Sequence, residues 1–128
     1  IADYWSAWEK IGTLSVGGDY QQLILQSRAM ITDCGSFLIE YFVTGKPLVH
    51  LISKDVKVQP ISVSKEYFDT FYQVKAEEDL SRVLDEVIAR AEDPRKEERL
   101  RVLRRSGLLD CYAAKNILEH LNSELGVK

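Results

Sequence analysis

The stretch AMITDCGSFLIE, which occupies residues 29–40, decides the expected fold of this chain. Its apolar start at 29–31 predicts a buried strand, residues 32–34 predict a tight polar turn, and the pattern from Gly35 onward predicts an amphipathic helix. Such a turn at the carboxyl end of a parallel strand presents backbone N–H groups at a helix N-terminus. That arrangement is suited to binding phosphate.

Glu40 lies four residues after Ser36, so the two side chains can share one face of the predicted helix. A carboxylate in this position can bind the hydroxyls of a ribose whose phosphates rest on the turn. The competing interpretation is that Asp33 only caps the helix and that Glu40 is solvated. Short Gly/Ser turn motifs are permissive, and spacing alone leaves both interpretations open.

Composition indicates one soluble globular domain and excludes several functional classes. The chain has 128 residues, of which 45% are hydrophobic and 29% charged, and its net charge of −3 argues against nucleic-acid binding. No apolar run is long enough for a transmembrane helix, and no signal peptide is recognisable at the start. The first residue is not Met, so we expect a fragment or a processed chain. The two cysteines form no metal-ligand pattern, so we expect no metal or cofactor and a cytoplasmic location.

Strand and helix signals alternate through the first two-thirds of the chain, which favours an α/β fold with a parallel sheet. We expect three strands at 13–16, 28–32 and 47–52 and a fourth around 72–74, with a surface loop at 54–63. Helices are expected at 3–10, at 19–27 with Leu23 and Ile24 inward, and from Gly35 to Gly45.

The C-terminal third predicts helices only. We expect a short helix at 64–71, an amphipathic helix at 80–91, a helix beginning at Asp93-Pro94 and a last helix at 113–125. The last helix is expected to point Ala114, Ile117, Leu118, Leu121 and Leu125 inward. The basic run Arg95, Lys96, Arg99, Arg101, Arg104 and Arg105 is interleaved with acids, which favours a solvated helix face over a polyphosphate or membrane contact.

Several single residues allow a functional and a structural interpretation. Asp19 and Tyr20 follow two glycines, where a loop can contact a base or glycerol, but a helix N-cap is an equal alternative. Trp5 and Trp8 favour packing against the sheet over stacking on a base. Cys34 at a helix N-terminus is a candidate reactive thiol, although a small turn residue is the simpler interpretation.

His50 lies within an apolar strand, which favours a buried, hydrogen-bonded histidine over a group that reaches the crevice.

The run from Gly17-Gly18-Asp19-Tyr20 through Thr32–Phe37 to Glu40-Tyr41 and Gly45-Lys46-Pro47 resembles the CDP-glycerol glycerophosphotransferases of teichoic-acid and capsular-polysaccharide synthesis. In that family a "TDYSS" or "TDCSSF" turn precedes a helix and a "KP" strand. The turn also resembles the Gly-containing motif of UDP-N-acetylglucosamine 2-epimerases and related GT-B glycosyltransferases.

The resemblance implies that the turn binds a nucleotide-activated donor such as CDP-glycerol. By position, Thr32, Asp33, Gly35 and Ser36 would contact the diphosphate, Glu40 the ribose, and Asp19 and Tyr20 the base or glycerol. Residues 1–128 would form the second half of a C-terminal, partial Rossmann-like GT-B domain with a three- to four-stranded parallel sheet.

The family's catalytic histidines lie in upstream "HG" and "HP" motifs that this sequence lacks. The resemblance therefore implies a transferase fragment that is inactive alone and holds no catalytic residue, while the missing domain would bind the acceptor polymer. An unpaired sheet edge would favour self-association, and such enzymes act at the inner face of the cell membrane. The open alternatives are a fragment of a GT-B glycosyltransferase or UDP-sugar epimerase, and a non-catalytic α/β interaction domain.

Overall fold

The computed structural model describes residues 2–15, 17–52 and 65–126. Within them, three strands and seven α-helices alternate along the chain. In order they are α1 (Ala2–Glu9), α2 (Gln21–Gln26), β1 (Met30–Thr32), α3 (Gly35–Phe42), β2 (Leu48–Leu51), α4 (Lys65–Phe68), β3 (Tyr72–Val74), α5 (Glu77–Val83), α6 (Lys96–Ser106) and α7 (Ala113–Leu125). A π-helical segment, Leu84–Ala89, continues α5 without a break.

The strands form a parallel sheet in the order β1-β2-β3, so each strand pairs with the next one in the chain. Met30 lies opposite Leu48, and Val49 lies opposite Tyr72. The expectation of a mixed α/β chain with a small parallel sheet is confirmed. The strand around 72–74 is present, and the other two are shorter than 28–32 and 47–52.

Alternate residues of β2 divide the core into two layers, as a strand's period of two requires. Leu48 belongs to a cluster that includes α3 and α6, and its largest members are Tyr41 and Phe42, both fully buried. Val49 belongs to the opposite cluster, which Val83 and Val87 cover from α5 and the π-helical segment. The sheet is therefore covered by helices on both faces.

The helix predicted at 80–91 differs from a regular α-helix in its second half. Over Leu84–Ala89 the turns widen, and the N–H of Arg90 donates to the carbonyl of Asp85 at 3.0 Å. The segment ends before Ala91, which has a left-handed φ of 59°, uncommon for a residue other than glycine. The apolar spacing correctly predicts the core-facing residues of this helix up to Ile88. At Ala91 the prediction is wrong, because the wider turn contains one extra residue.

Arg99 was wrongly assigned to a solvated basic face. Its side chain is fully buried between α6 and the loop before β2. The Arg99 Nε donates to the Gly45 carbonyl at 2.9 Å, and its terminal nitrogens bind the carboxylate of Asp93. The Tyr72 hydroxyl donates to the same carboxylate at 2.6 Å. A buried guanidinium needs such partners, and this network connects α6 to β3 and to the β2 entrance.

Gly45 ends the segment after α3 with a φ of 68°, and a side chain there would meet Leu100 at 2.8 Å. Glycine is therefore required both by the backbone and by the close approach of α6. The next residue, Lys46, donates its ammonium to the carbonyls of Ile24, Leu25 and Ser27 at 2.6–3.1 Å. It thereby caps the end of α2, where a cation is favourable.

Several expectations about the two ends of the chain were wrong. Residues 13–15 form no strand, and Val16 lies outside the described residues. Trp5 and Trp8 are 45% and 49% exposed and contact Tyr4 edge-on rather than packing on the sheet. Leu23 is also exposed, because α2 presents only Ile24 to the core.

Helix α7 begins and ends at the predicted residues, but its apolar face is not buried. Ile117, Leu118, Leu121 and Leu125 are 48–73% exposed, and Ala114 is also exposed. The periodicity correctly indicated a helix with an apolar stripe. It could not indicate whether another element covers that stripe.

The remaining helices agree with the sequence within a few residues. Helix α4 covers only part of 64–71, and α6 begins two residues after Pro94. The loop predicted at 54–63 lies outside the described residues. Among the described residues, no helix is both long and apolar enough to span a bilayer.

Candidate phosphate-binding turn

The predicted turn lies between the carboxyl end of β1 and the first turn of α3. Thr32 stabilises the turn, because its Oγ1 accepts a hydrogen bond from the Cys34 N–H at 3.0 Å. Cys34 occupies the N-cap position in an extended conformation and its side chain makes no capping bond. Asp33 therefore does not cap α3, and this half of the structural alternative was wrong.

The side chain of Cys34 lies beside the first turn of α3. The Cys34 Sγ lies 3.2 Å from the Ser36 hydroxyl. Hydrogen bonds from that hydroxyl, and then from the backbone of Ser36 and Phe37, lower the pKa of the exposed Cys34 thiol. The start of α3 thus favours the anionic form of a neighbouring group, as expected at a helix N-terminus.

Gly35 leaves space beside these donors. A Cβ built at this position meets no atom within 4 Å, and the residue does not need a left-handed φ. Packing therefore does not explain the glycine, whereas the close approach of a ligand to the backbone would.

Glu40 and Tyr20 are brought together as a pair. The Tyr20 hydroxyl donates to Glu40 Oε1 at 2.8 Å, and its ring meets Phe37 edge-on at 5.5 Å. This hydrogen bond, followed by the charge of Glu40, raises the pKa of Tyr20. Glu40 is exposed, as the alternative interpretation expects, but one oxygen of its carboxylate is hydrogen-bonded to Tyr20, the residue before α2.

Asp19 and Asp33 point to different places. Asp19 Oδ1 accepts from the Gln21 N–H at 3.0 Å and so caps the start of α2, as its structural interpretation predicted. Asp33 lines a cleft of about 300 Å³ that lies over the carboxyl ends of β2 and β3, with Leu51, Val74 and Lys75 among its walls. The predicted residues therefore form one turn and one pair, and the carboxylate of Asp19 is used at the start of α2.

His50 lies next to the turn, opposite Thr32 in the sheet. It is buried as predicted, but within the part of the chain that the structure describes its Nδ1 has no hydrogen-bond partner. Burial lowers the pKa of His50, and the nearby Asp33 charge opposes that shift. The ring meets Phe68 edge-on at 5.6 Å.

Sequence reasoning missed the Tyr20–Glu40 pair, because it joins α3 to the residue that precedes α2. A common face of one helix is visible in the spacing, whereas a contact between helices is not. Among the described residues, no group of three histidine, cysteine, aspartate or glutamate side chains is placed to hold a metal ion.

Comparisons with family models, with curated proteins and with solved structures return no match for this chain.

Proposed function

We propose that the turn at residues 32–36 binds the diphosphate of a nucleotide-activated donor, CDP-glycerol being the first candidate, as the donor half of a glycerophosphotransferase. The observation that carries the proposal is the start of α3 after Cys34, with the Ser36 hydroxyl beside it and the open space at Gly35. The resemblance to glycerophosphotransferases adds the identity of the donor.

Glu40 is the proposed ribose ligand. Tyr20 occupies one oxygen of its carboxylate, which leaves the second oxygen for sugar hydroxyls. A bond from a hydroxyl to a carboxylate contributes roughly 1.5–3 kcal/mol. Tyr20 then orients the carboxylate from its position beside the nucleotide. Asp19 and Asp33 would contribute less than Glu40 to binding of the donor.

The chemistry proposed for the whole enzyme is attack of a polymer hydroxyl on the β-phosphate, with CMP leaving. Donors at the turn would stabilise charge on the diphosphate, which is the main electrostatic task in phosphoryl transfer. The general base and the acceptor polymer would belong to the other domain. This chain alone is therefore expected to bind the donor without turning it over, in the cytoplasm at the inner face of the membrane.

The test is a titration of the chain with CDP-glycerol, followed by NMR of the backbone amides. We expect shifts at residues 34–37 and loss of binding in Gly35→Val. The matched control is Gly12→Val, because a side chain at Gly12 also meets no atom within 4 Å. Equal affinity in wild type and Gly35→Val would overturn the phosphate-site proposal.

Glu40→Ala tests the ribose contact separately. We expect at least tenfold weaker binding, which corresponds to about 1.4 kcal/mol. A 2′,3′-dideoxy nucleotide should lose little more in this variant, since the missing hydroxyls no longer have a partner. Additive losses would show that Glu40 binds something else. Preference for a UDP-sugar over CDP-glycerol and CMP would favour the glycosyltransferase or epimerase alternative. If the chain binds none of these compounds, the non-catalytic interaction domain is favoured.

A further inference from the structure

A second cleft lies at the opposite end of the sheet from the turn. It has a volume of about 540 Å³ and opens between the loops that precede β1 and β2, the end of the π-helical segment and the start of α6. This volume lies within the range of small-molecule sites. The turn at 32–36 contributes nothing to it, because the two sites lie at opposite ends of β1.

We call this second cleft the amino-end cleft, and most of the charged side chains that line it are positive. Of the described residues that line it, four are cationic and one, Asp93, is acidic. The buried Arg99 neutralises Asp93, while hydrogen bonds from Arg99 and Tyr72 outweigh the effect of burial and lower the pKa of the carboxyl. The cleft therefore presents a net positive charge to whatever enters it.

Two of the four cations already have structural partners and two keep free donors. Arg99 binds Asp93 and Gly45, and Lys46 binds three carbonyls at the end of α2. Arg28 uses one terminal nitrogen on the Ile88 carbonyl at 2.7 Å and has others to spare. Lys96 makes no side-chain hydrogen bond or ion pair within the described part of the chain, and both residues are exposed.

The remaining wall is apolar and has an unusual backbone. Val87, Ile88 and Leu100 line it, next to Ala91 with its left-handed φ. Wide π-helical turns and residues held at positive φ occur preferentially at functional sites. An apolar wall that faces free cationic donors fits a ligand with an anionic head and a compact apolar body.

We infer that this amino-end cleft binds a small organic anion, with Arg28 and Lys96 on the anionic head and Val87, Ile88 and Leu100 around the apolar body. The inference is independent of the nucleotide proposal, because the two sites share no residue. Its place beside the Arg99–Asp93 network means that occupancy would also stabilise the packing of α6 against the sheet.

The experiment uses phenyl phosphate as the probe and the whole 128-residue chain. Titration is followed by NMR of the backbone amides, with inorganic phosphate and phenol as the two halves of the probe. We expect saturable shifts at Gly45, Ile88 and Ala91, and weaker binding of phosphate and phenol than of phenyl phosphate. Shifts confined to residues 34–37 would assign the probe to the turn and overturn the inference.

The variant that tests the contacts is Arg28→Gln/Lys96→Gln, and the matched control is Arg104→Gln/Lys115→Gln, which removes the same two charges from exposed positions. We expect at least tenfold weaker binding of phenyl phosphate in the first variant and a change within twofold in the second. Equal loss in both variants would overturn the inference. So would a wild type that does not saturate at 10 mM probe, a concentration that corresponds to a binding free energy of about 2.7 kcal/mol, roughly the weakest affinity of interest.

Discussion

Helices α6 and α7 share an amphipathic pattern and a glycine at the C-terminal end but differ in environment. Both are amphipathic, and both end at a glycine in the left-handed conformation, Gly107 with a φ of 71° and Gly126 with a φ of 63°. Helix α6 buries Arg99, Val102 and Leu103, whereas α7 buries no residue. Local signals thus specify that a helix forms, and the surface beneath it decides which side chains are buried.

The largest expected effect comes from breaking the buried ion pair of α6. Arg99→Leu would leave the Asp93 carboxylate and the Gly45 carbonyl without their partner, and removing one member of a buried pair costs about 3–5 kcal/mol. The measurement is urea unfolding followed by circular dichroism. The control is Arg101→Leu, which removes an exposed pair with Glu98 and should leave the midpoint nearly unchanged. Equal losses in the two variants would contradict the burial of Arg99.

The same pair predicts a pH dependence. Because the folded pKa of Asp93 is lowered, its contribution is complete above the unfolded pKa and is lost as the pH falls through the folded pKa. The acid-induced loss of stability should therefore be smaller in Asp93→Asn than in the wild type. The quantity to measure is the loss in free energy of unfolding on acidification, compared between the wild type and Asp93→Asn.

A pair of leucine truncations compares the two helices directly. Leu103→Ala removes a side chain that is 3% exposed and should cost roughly 2–5 kcal/mol. Leu118→Ala changes a side chain that is 59% exposed and should alter the free energy of unfolding by less than about 0.5 kcal/mol. A large loss at Leu118 would mean that the apolar face of α7 is covered in solution, and light scattering would then show whether a second copy covers it.

Tyr72 connects α6 to the sheet through a single hydroxyl. Burial, together with the hydrogen bond to Asp93, raises its pKa to about 12. Because the folded pKa is raised above the usual value near 10, the stabilisation is complete below pH 10 and is lost as the pH rises toward 12. Tyr72→Phe should cost roughly 1.5–3 kcal/mol at neutral pH, since the hydroxyl donates to a charged group.

The alkaline branch of the stability curve provides the check on Tyr72. Between pH 10 and 12 the wild type should lose stability faster than Tyr72→Phe. Parallel curves for the two proteins would show that this hydroxyl does not titrate with folding.

The smallest expected effect is a difference in thiol reactivity at two helix starts. Cys34 precedes α3, Cys111 precedes α7, and both are exposed. We expect Cys34 to react several-fold faster with iodoacetamide near pH 7, because the donors of α3 lower its thiol pKa. Mass spectrometry of the two peptides gives the ratio, and Ser36→Ala should reduce it. A ratio of one in the wild type would argue against anion-stabilising donors at the turn.

Most of the secondary structure was predictable, because the signals for it are local. The turn after β1, the left-handed glycine at Gly45 and the full length of α7 all follow from residues close together in the chain. The candidate turn was located for the same reason, since phosphate sites of this kind use backbone groups of one short segment.

What could not be predicted depends on contacts between distant residues. Arg99 stands in a run of charges that is usually solvated, and only the positions of Asp93 and Gly45 make its burial favourable. The Tyr20–Glu40 pair and the amino-end cleft likewise join segments far apart in the chain. The widened turn at Leu84–Ala89 lacks even a compositional signal, so its apolar spacing resembles that of an ordinary helix.

The order of the strands has a consequence for how the chain reaches this structure. Each strand lies beside its neighbour in sequence, so no strand has to wait for a partner from the far end of the chain. During synthesis, β1, α3 and β2 can associate before α6 has been made, and α6 then closes over an assembled surface. Arg99 would enter together with α6, so a ribosome-bound chain that stops before α6 should expose its apolar core to chaperones.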